Sequence, residues 1–144
     1  MMKQLVLTIH NGVNLQYPLE SLAEFVETEA ADSPAFSSEL LEQLRAIFHP
    51  QTEPKGFLIL GLDEEDELLA LLAVQEGDQE VGKLQQIISM VVRHDARGQG
   101  HGKALLRSAR MLSRLGLEVP LPTKHPLHQF FLQQNVDTVE LPLS

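Results

Sequence analysis

The sequence predicts a single α/β domain over residues 1–144, a central sheet of about six strands flanked by about four helices. Two observations lead there. Short apolar runs alternate with longer segments whose apolar residues recur every three or four positions, the order expected when helices cover a sheet. The run at 84–92 then passes through three alternating glycines, Gly98, Gly100 and Gly102, into a strongly amphipathic helix. Composition agrees, since 43% hydrophobic and 22% charged residues in a chain of 144 are ordinary for one globular domain.

Residues 5–10 alternate as a first strand and close at Asn11-Gly12, a turn dipeptide. Helical spacing over 19–30 puts Leu22, Phe25 and Val26 on one face, and Ser33-Pro34 interrupts it. A second helix is predicted from Ser37 or Ser38 to Phe48, with Leu40, Leu41, Leu44 and Phe48 as its buried stripe. Strands follow at 56–62 and 68–75, joined by Asp63-Glu64-Glu65-Asp66-Glu67. Five successive carboxylates repel one another and suit a solvated hairpin tip. The fixed ligand-and-glycine spacing of a calcium loop is missing, so no metal is expected there. A second acidic turn at 76–82 leads into the strand 84–92. Beyond the glycines, a helix over 103–115 ends at Gly116, a good C-cap. A strand at 117–121, a short helix at 127–134 and a strand at 136–143 complete the order.

The segment Arg97-Gly98-Gln99-Gly100-His101-Gly102-Lys103 is a candidate phosphate-binding turn. The first N–H groups of a helix have no intrahelical acceptor, and the dipole adds roughly half a positive charge at that end. Glycines before it admit backbone conformations closed to larger residues and let a phosphate come close. Register excludes the two common nucleotide motifs. A P-loop needs glycine where Arg97 stands and a hydroxyl where Ala104 stands. The dinucleotide fingerprint needs two residues between its last two glycines, and Gly100 and Gly102 are separated by one.

What the register does fit is Arg-x-x-Gly-x-Gly after Val-x-x-x-x-Arg-Gly, here Val92 to Gly102, which resembles the signature of the GNAT family of N-acetyltransferases. The resemblance covers about 53 residues, 84–136. It implies a GNAT fold, a mixed sheet whose fourth and fifth strands splay apart, and an acyl-CoA-binding enzyme. It places the pyrophosphate of acetyl-CoA on Arg97, Gly98, Gln99, Gly100, His101, Gly102 and Lys103. It places pantetheine along the main chain of Met90, Val91 and Val92. The expected activity is transfer of an acetyl group from acetyl-CoA directly to a primary amine of a small molecule or protein, with no metal. The alternative is an acyl-CoA-binding sensor without turnover.

That alternative arises from a departure. The family commonly shows Phe-Tyr-x-x-x-Gly-Phe in the last helix, the Tyr protonating the leaving thiolate. Here the stretch is Phe130-Phe131-Leu132-Gln133-Gln134-Asn135-Val136, and Phe131 has no proton to give. An Asn seven residues before the Tyr corresponds to Lys124. His125 and His128 lie near enough in sequence to substitute, although a surface His near a helix end is more often a cap or a solvated side chain. The fourth strand offers Gln85, Gln86 and Ser89 but no carboxylate, so neither the general acid nor the general base is named by the sequence.

Charge divides the chain. Residues 1–80 carry 16 acidic side chains against 3 Lys or Arg, and residues 81–144 carry 8 basic against 4 acidic, so the basic part holds the phosphate turn. Arg93, Arg97, Lys103, Arg107, Arg110 and Arg114 gather near it, the last three equally consistent with a solvated helix face. The acidic part argues against a nucleic-acid partner and tolerates a cationic amine. No run approaches 18 uncharged apolar residues and no signal-peptide pattern opens the chain, so no membrane association is expected. Zero cysteines fit a cytoplasmic location. In the strand 117–121, Pro120, with Pro122 just beyond, removes donors from one edge, the edge expected to face the splay. Many relatives continue into a seventh strand, which makes pairing of two copies into a homodimer a further expectation.

Overall fold

A computed structural model describes residues 6–10, 18–29, 40–48, 56–75, 85–112, 117–121, 128–133 and 137–140. Six strands form one sheet: β1 (Val6–His10), β2 (Gly56–Leu62), β3 (Leu68–Gln75), β4 (Gln85–Val92), β5 (Leu117–Leu121) and β6 (Asp137–Glu140). They lie side by side in chain order. Strands β1 to β4 pair antiparallel, whereas β4–β5 and β5–β6 are parallel. The antiparallel part needs only hairpins or the α1–α2 excursion. Each parallel pair requires a crossover, supplied by helices α3 and α4.

The four helices are α1 (Leu19–Glu29), α2 (Leu40–Ile47), α3 (His101–Leu112) and α4 (His128–Gln133). Apolar stripes decide which side each covers. Leu22 and Val26 of α1 join Leu40, Leu44 and Ile47 of α2 in a buried cluster with Leu58, Leu60, Leu71, Ala73, Ile88 and Val91. Leu105, Leu106 and Ala109 of α3 and Phe131 of α4 bury the other face with Ile59, Leu72, Val74, Ile87, Met90, Leu117 and Val119. Strand β3 is therefore covered on both sides, which is why 68–74 is continuously apolar instead of alternating. Of the stripes read from sequence, Phe25, Leu41 and Phe48 are half-buried, and Leu112 at the end of α3 is exposed.

Element limits differ from the sequence reading mainly at α3. It starts at His101, two residues before the expected Lys103, because the His101 ring lies one turn from Leu105 and is buried with it. A polar residue type thus carries the first position of the apolar stripe. A 3-10 turn, His94–Ala96, absent from the sequence reading, follows β4. Asn11-Gly12, Ser33-Pro34, 76–82, Gly116, Pro122, Lys124 and His125 lie outside the described residues. At the acidic hairpin, Asp63 Oδ1 accepts the backbone N–H groups of Glu65 (2.8 Å) and Glu67 (2.9 Å), so one carboxylate ties the turn from within. No helix among the described residues is long and apolar enough to cross a membrane.

Two irregularities of β4 shape the site. Ala73 pairs with Ser89 while Val74 pairs with Ile87, so Ile88 is an extra residue and β4 is bulged there. On its other side β4 meets β5 only at Gln85↔Leu117 and Gln86↔Glu118, and beyond that β5 pairs with β6 alone. The two strands part after two residues, the splay that the family resemblance implied.

Candidate functional site

The glycine turn lies where the parted strands point. Gly98 has φ +80° and Gly100 φ +84°, conformations L side chains rarely adopt. Around either one, apart from its chain neighbours, no heavy atom of the described residues lies within 4 Å of where a Cβ would stand. The first bond into α3 runs from the Ala104 N–H to the Gly100 carbonyl (3.1 Å), leaving the N–H groups of His101, Gly102 and Lys103 before it without an intrahelical acceptor. An open backbone concavity at the positive end of a 12-residue helix is the donor set a pyrophosphate requires, so these residues fit that group.

Gly102 corrects one expectation. It is helical, and an added Cβ would meet Phe130 Cζ at 3.5 Å and Met90 Cε at 3.8 Å, ordinary contact distances. Backbone conformation therefore does not demand glycine there. The position marks instead where α3, β4 and α4 converge. Met90 and Val91 are buried and Val92 is half-buried, with Met90 in the α3 core and Val91 in the α1–α2 core. Gln99 is half-buried, and Lys103 is exposed on the first turn of α3 with no ion pair among the described residues.

Two arginines of the expected cationic cluster are committed elsewhere. Arg93 Nε donates to Asp95 Oδ1 at 2.6 Å, and its Nη1 lies 3.5 Å from Glu67 Oε2. The hydrogen bond to Asp95, more than the Glu67 contact, holds its pKa above the ordinary guanidinium value. Arg97 donates through Nε to the Val92 carbonyl (3.0 Å) and through Nη2 to the Glu29 carbonyl (2.5 Å). Its guanidinium thus closes the last turn of α1 onto the turn after β4. Glu29 answers from the other side, its Oε2 accepting the His94 N–H at 2.9 Å and lying 3.2 Å from His94 Nδ1. Arg107 and Arg110 are exposed on α3, the solvated face that the spacing also allowed, and Arg114 lies outside the described residues.

These bonds make Arg97 a structural clasp between α1 and the turn. Arg97→Ala removes two charge-assisted bonds to carbonyls, an effect on the order of 1 kcal/mol at an exposed position. A fall of a few degrees in Tm is the expected result, and an unchanged melting curve would show that the clasp contributes nothing.

His101 is 5% exposed and its Nε2 is buried with no hydrogen-bond partner. Burial pushes its pKa below the ordinary imidazole value, so the ring is neutral at pH 7. Below about pH 6.5 the unfolded chain takes up a proton at this residue that the folded chain resists, so stability is lost as pH falls through that range. The Tm should decline from pH 7 to 5.5, and His101→Leu should flatten the decline. Parallel curves for the two proteins would contradict it.

Phe131 is fully buried, its ring edge-on to Phe130 with centroids 5.6 Å apart and planes at 69°. It is a core residue of the α3 side with no hydroxyl to offer. The backbone of His128 lies in the first turn of α4. Sequence reasoning missed one residue. Gln86 Nε2 donates to Glu118 Oε1 at 2.8 Å, half-buried, at the last register pair before β4 and β5 part. Glu118 alternates with the buried Leu117 and Val119, which signals a strand residue turned to the other face, but only register sets it beside Gln86. Among the described residues, no group of three or more His, Cys, Asp or Glu is arranged to hold a metal ion.

Comparisons with known proteins agree with this geometry. A family model described as the acetyltransferase (GNAT) family matches residues 22–131. A search of curated proteins finds no significant match. Among solved structures, a Pyrococcus furiosus protein described as an acetyl transferase superposes with TM-score 0.69 at 20% identity, covering 96% of this chain and 98% of that one. One from Clostridium difficile 630, described as an acetyltransferase, gives 0.68 at 14% identity, with 97% and 95% covered. An aminoglycoside antibiotic 6'-N-acetyltransferase from Acinetobacter baumannii gives 0.60 at 10% identity, with 96% of each chain covered. At these identities the likeness is one of fold, and the family match over residues 22–131 carries the assignment: the chain belongs to the GNAT acetyltransferase family.

Proposed function

We propose that this protein transfers an acetyl group from acetyl-CoA directly to a primary amine. The observation that carries the reading is the open turn at Gly98 and Gly100, set at the N-terminus of α3 and in line with the parted strands. Main-chain N–H groups from Arg97 to Lys103 receive the pyrophosphate, and the Lys103 ammonium adds charge at the same end. From Ile87 onward β4 has no strand partner on its β5 side among the described residues, so the main chain of Met90, Val91 and Val92 is available to the amides of the pantetheine arm. Acetyl-CoA supplies an acyl group already activated as a thioester. The protein's part is to hold that carbonyl against an amine, and such positioning alone can contribute roughly 7 to 11 kcal/mol toward the barrier. The acceptor class is unspecified by this argument; the Acinetobacter baumannii neighbour is described as acting on an aminoglycoside.

Phe131 favours a second reading, a domain that binds acyl-CoA without turnover, because the buried ring replaces the family's proton donor. Calorimetric titration with acetyl-CoA and with CoA tests the binding that both readings share. Release of CoA in the presence of a panel of primary amines separates them. Binding with transfer supports the enzyme, binding without transfer supports the sensor, and failure to bind removes both.

A further inference from the structure

We infer that Phe131 restricts the acyl group of a bound acyl-CoA to acetyl, because its ring fills the apolar space that a longer chain would need. This rests on the reading above, in which acyl-CoA lies in the opening between β4 and β5 with its pyrophosphate at the glycine turn. The phosphate end is then at the turn beyond Val92, and the acyl end points back along β4 toward Gln86 and Glu118, where the strands close. An acyl chain there can turn to either face of the sheet, and the two faces differ. On the α1–α2 side stands Ser89, paired with Ala73 of that core, fully buried and with a hydroxyl that has no hydrogen-bond partner. An alkyl chain laid against it leaves that hydroxyl unsatisfied. On the α3 side β4 presents Ile87 and Met90, and β5 presents Leu117 and Val119, all in one apolar cluster with Phe131. That is the side an alkyl chain prefers.

It is also the side already filled. Phe131, Ile87 and Val119 are completely buried, and Leu117 nearly so. Helix α4, which crosses from β5 to β6, brings a second ring to the same face: the Cβ position of Gly102 lies 3.5 Å from Phe130 Cζ and 3.8 Å from Met90 Cε, so α4 reaches the first turn of α3 beside β4. The Phe131 ring meets Phe130 edge-on at 5.6 Å between centroids, which fixes its place in the cluster. Interiors are close-packed, and methylenes added to a filled site force neighbouring side chains from their preferred rotamers. A terminal methyl on the thioester carbonyl stays within the gap, whereas each further methylene has to displace the ring. Truncating the ring leaves an apolar cavity at the same place, and such a cavity stays dry and accepts an apolar guest.

The test is calorimetric titration with acetyl-, butyryl- and hexanoyl-CoA, paired with thermal melting, of wild type, Phe131→Ala, Phe131→Leu and Leu44→Ala, the last opening a cavity in the α1–α2 core instead. Wild type should bind acetyl-CoA roughly 10-fold or more tightly than hexanoyl-CoA. Phe131→Ala should reverse the order, gaining roughly fourfold in affinity per added methylene, and hexanoyl-CoA should raise its Tm more than acetyl-CoA does at the same concentration. Phe131→Leu, a smaller truncation, should weaken the discrimination, and it decides the matter if Phe131→Ala does not fold. Leu44→Ala should keep the wild-type order. Equal affinity of wild type for acetyl- and hexanoyl-CoA, wild-type discrimination retained in the Phe131 variants, or discrimination lost in Leu44→Ala would each overturn the assignment. A wild type that binds none of these CoA esters would instead overturn the acyl-CoA reading on which it rests.

Discussion

Gly100→Asp should weaken acetyl-CoA binding at least 100-fold, about 2.7 kcal/mol, while the protein stays folded. Both halves follow from the geometry of one residue. At φ +84° any side chain is strained, at a cost of roughly 1 to 2 kcal/mol, toward the low end for Asp, which reaches the left-handed region more readily than most residues. Apart from the chain neighbours, no atom of the described residues lies within 4 Å of the Cβ position, so none of them adds a clash to that strain. The carboxylate then projects into the concavity formed by the α3 N-terminus, where it neutralises the dipole end and repels a pyrophosphate. Gly100→Ala carries the same strain without the charge and should lose far less affinity. Calorimetric titration of all three proteins decides the matter, and equal affinities would show that the turn is not the phosphate site.

Phe131→Ala should destabilise the fold by about 3 to 5 kcal/mol, a fall of roughly 10 °C or more in Tm. The ring is among the largest fully buried side chains, and it shares one apolar cluster with Met90 of β4 and with Leu117 and Val119 of β5. Its loss opens a cavity on the side where the sheet's own pairing is shortest. Phe131→Tyr is the instructive companion. It restores the family's residue type, yet it buries a hydroxyl in an apolar cluster at a cost of about 1 to 3 kcal/mol. It should melt below wild type without gaining rate. Urea unfolding of both variants reads these effects, and a Phe131→Ala protein within 1 kcal/mol of wild type would show that the ring is not part of the core.

Most of this architecture is legible in the sequence because it depends on local pattern. Leu22 and Val26, Leu40 and Leu44, Leu105 and Ala109 recur at helical spacing and are buried as that spacing requires. The glycine turn is equally local, since positive φ at Gly98 and Gly100 and a following helix are properties of one short segment. What escaped the sequence depends on register or on distant partners. That the Arg97 side chain clasps α1 depends on the carbonyl of Glu29, 68 positions earlier, which accepts its bond. Glu118 drew no reading from the sequence, because only the register with Gln86 puts it at the parting of β4 and β5. The sequence puts His101 in the phosphate turn, ahead of the expected helix, whereas the observed helix phase also buries its ring in the core.

The short seam between β4 and β5 has a consequence for the protein as a solute. A sheet normally exposes unpaired main chain only at its two outermost strands, here β1 and β6. This one also interrupts itself inside: among the described residues, β4 has no strand neighbour on its β5 side from Ile87 onward. Other proteins blunt their edges with charges, prolines or covering loops. The side chains of Ile87 and Met90 lie in the α3 core and those of Ile88 and Val91 in the α1–α2 core, so it is main chain that faces this edge. The opening is thus a place where an extended chain of the right width completes a sheet. A narrow amide-bearing ligand fits between the strands without displacing either, while a polypeptide strand must wedge them further apart.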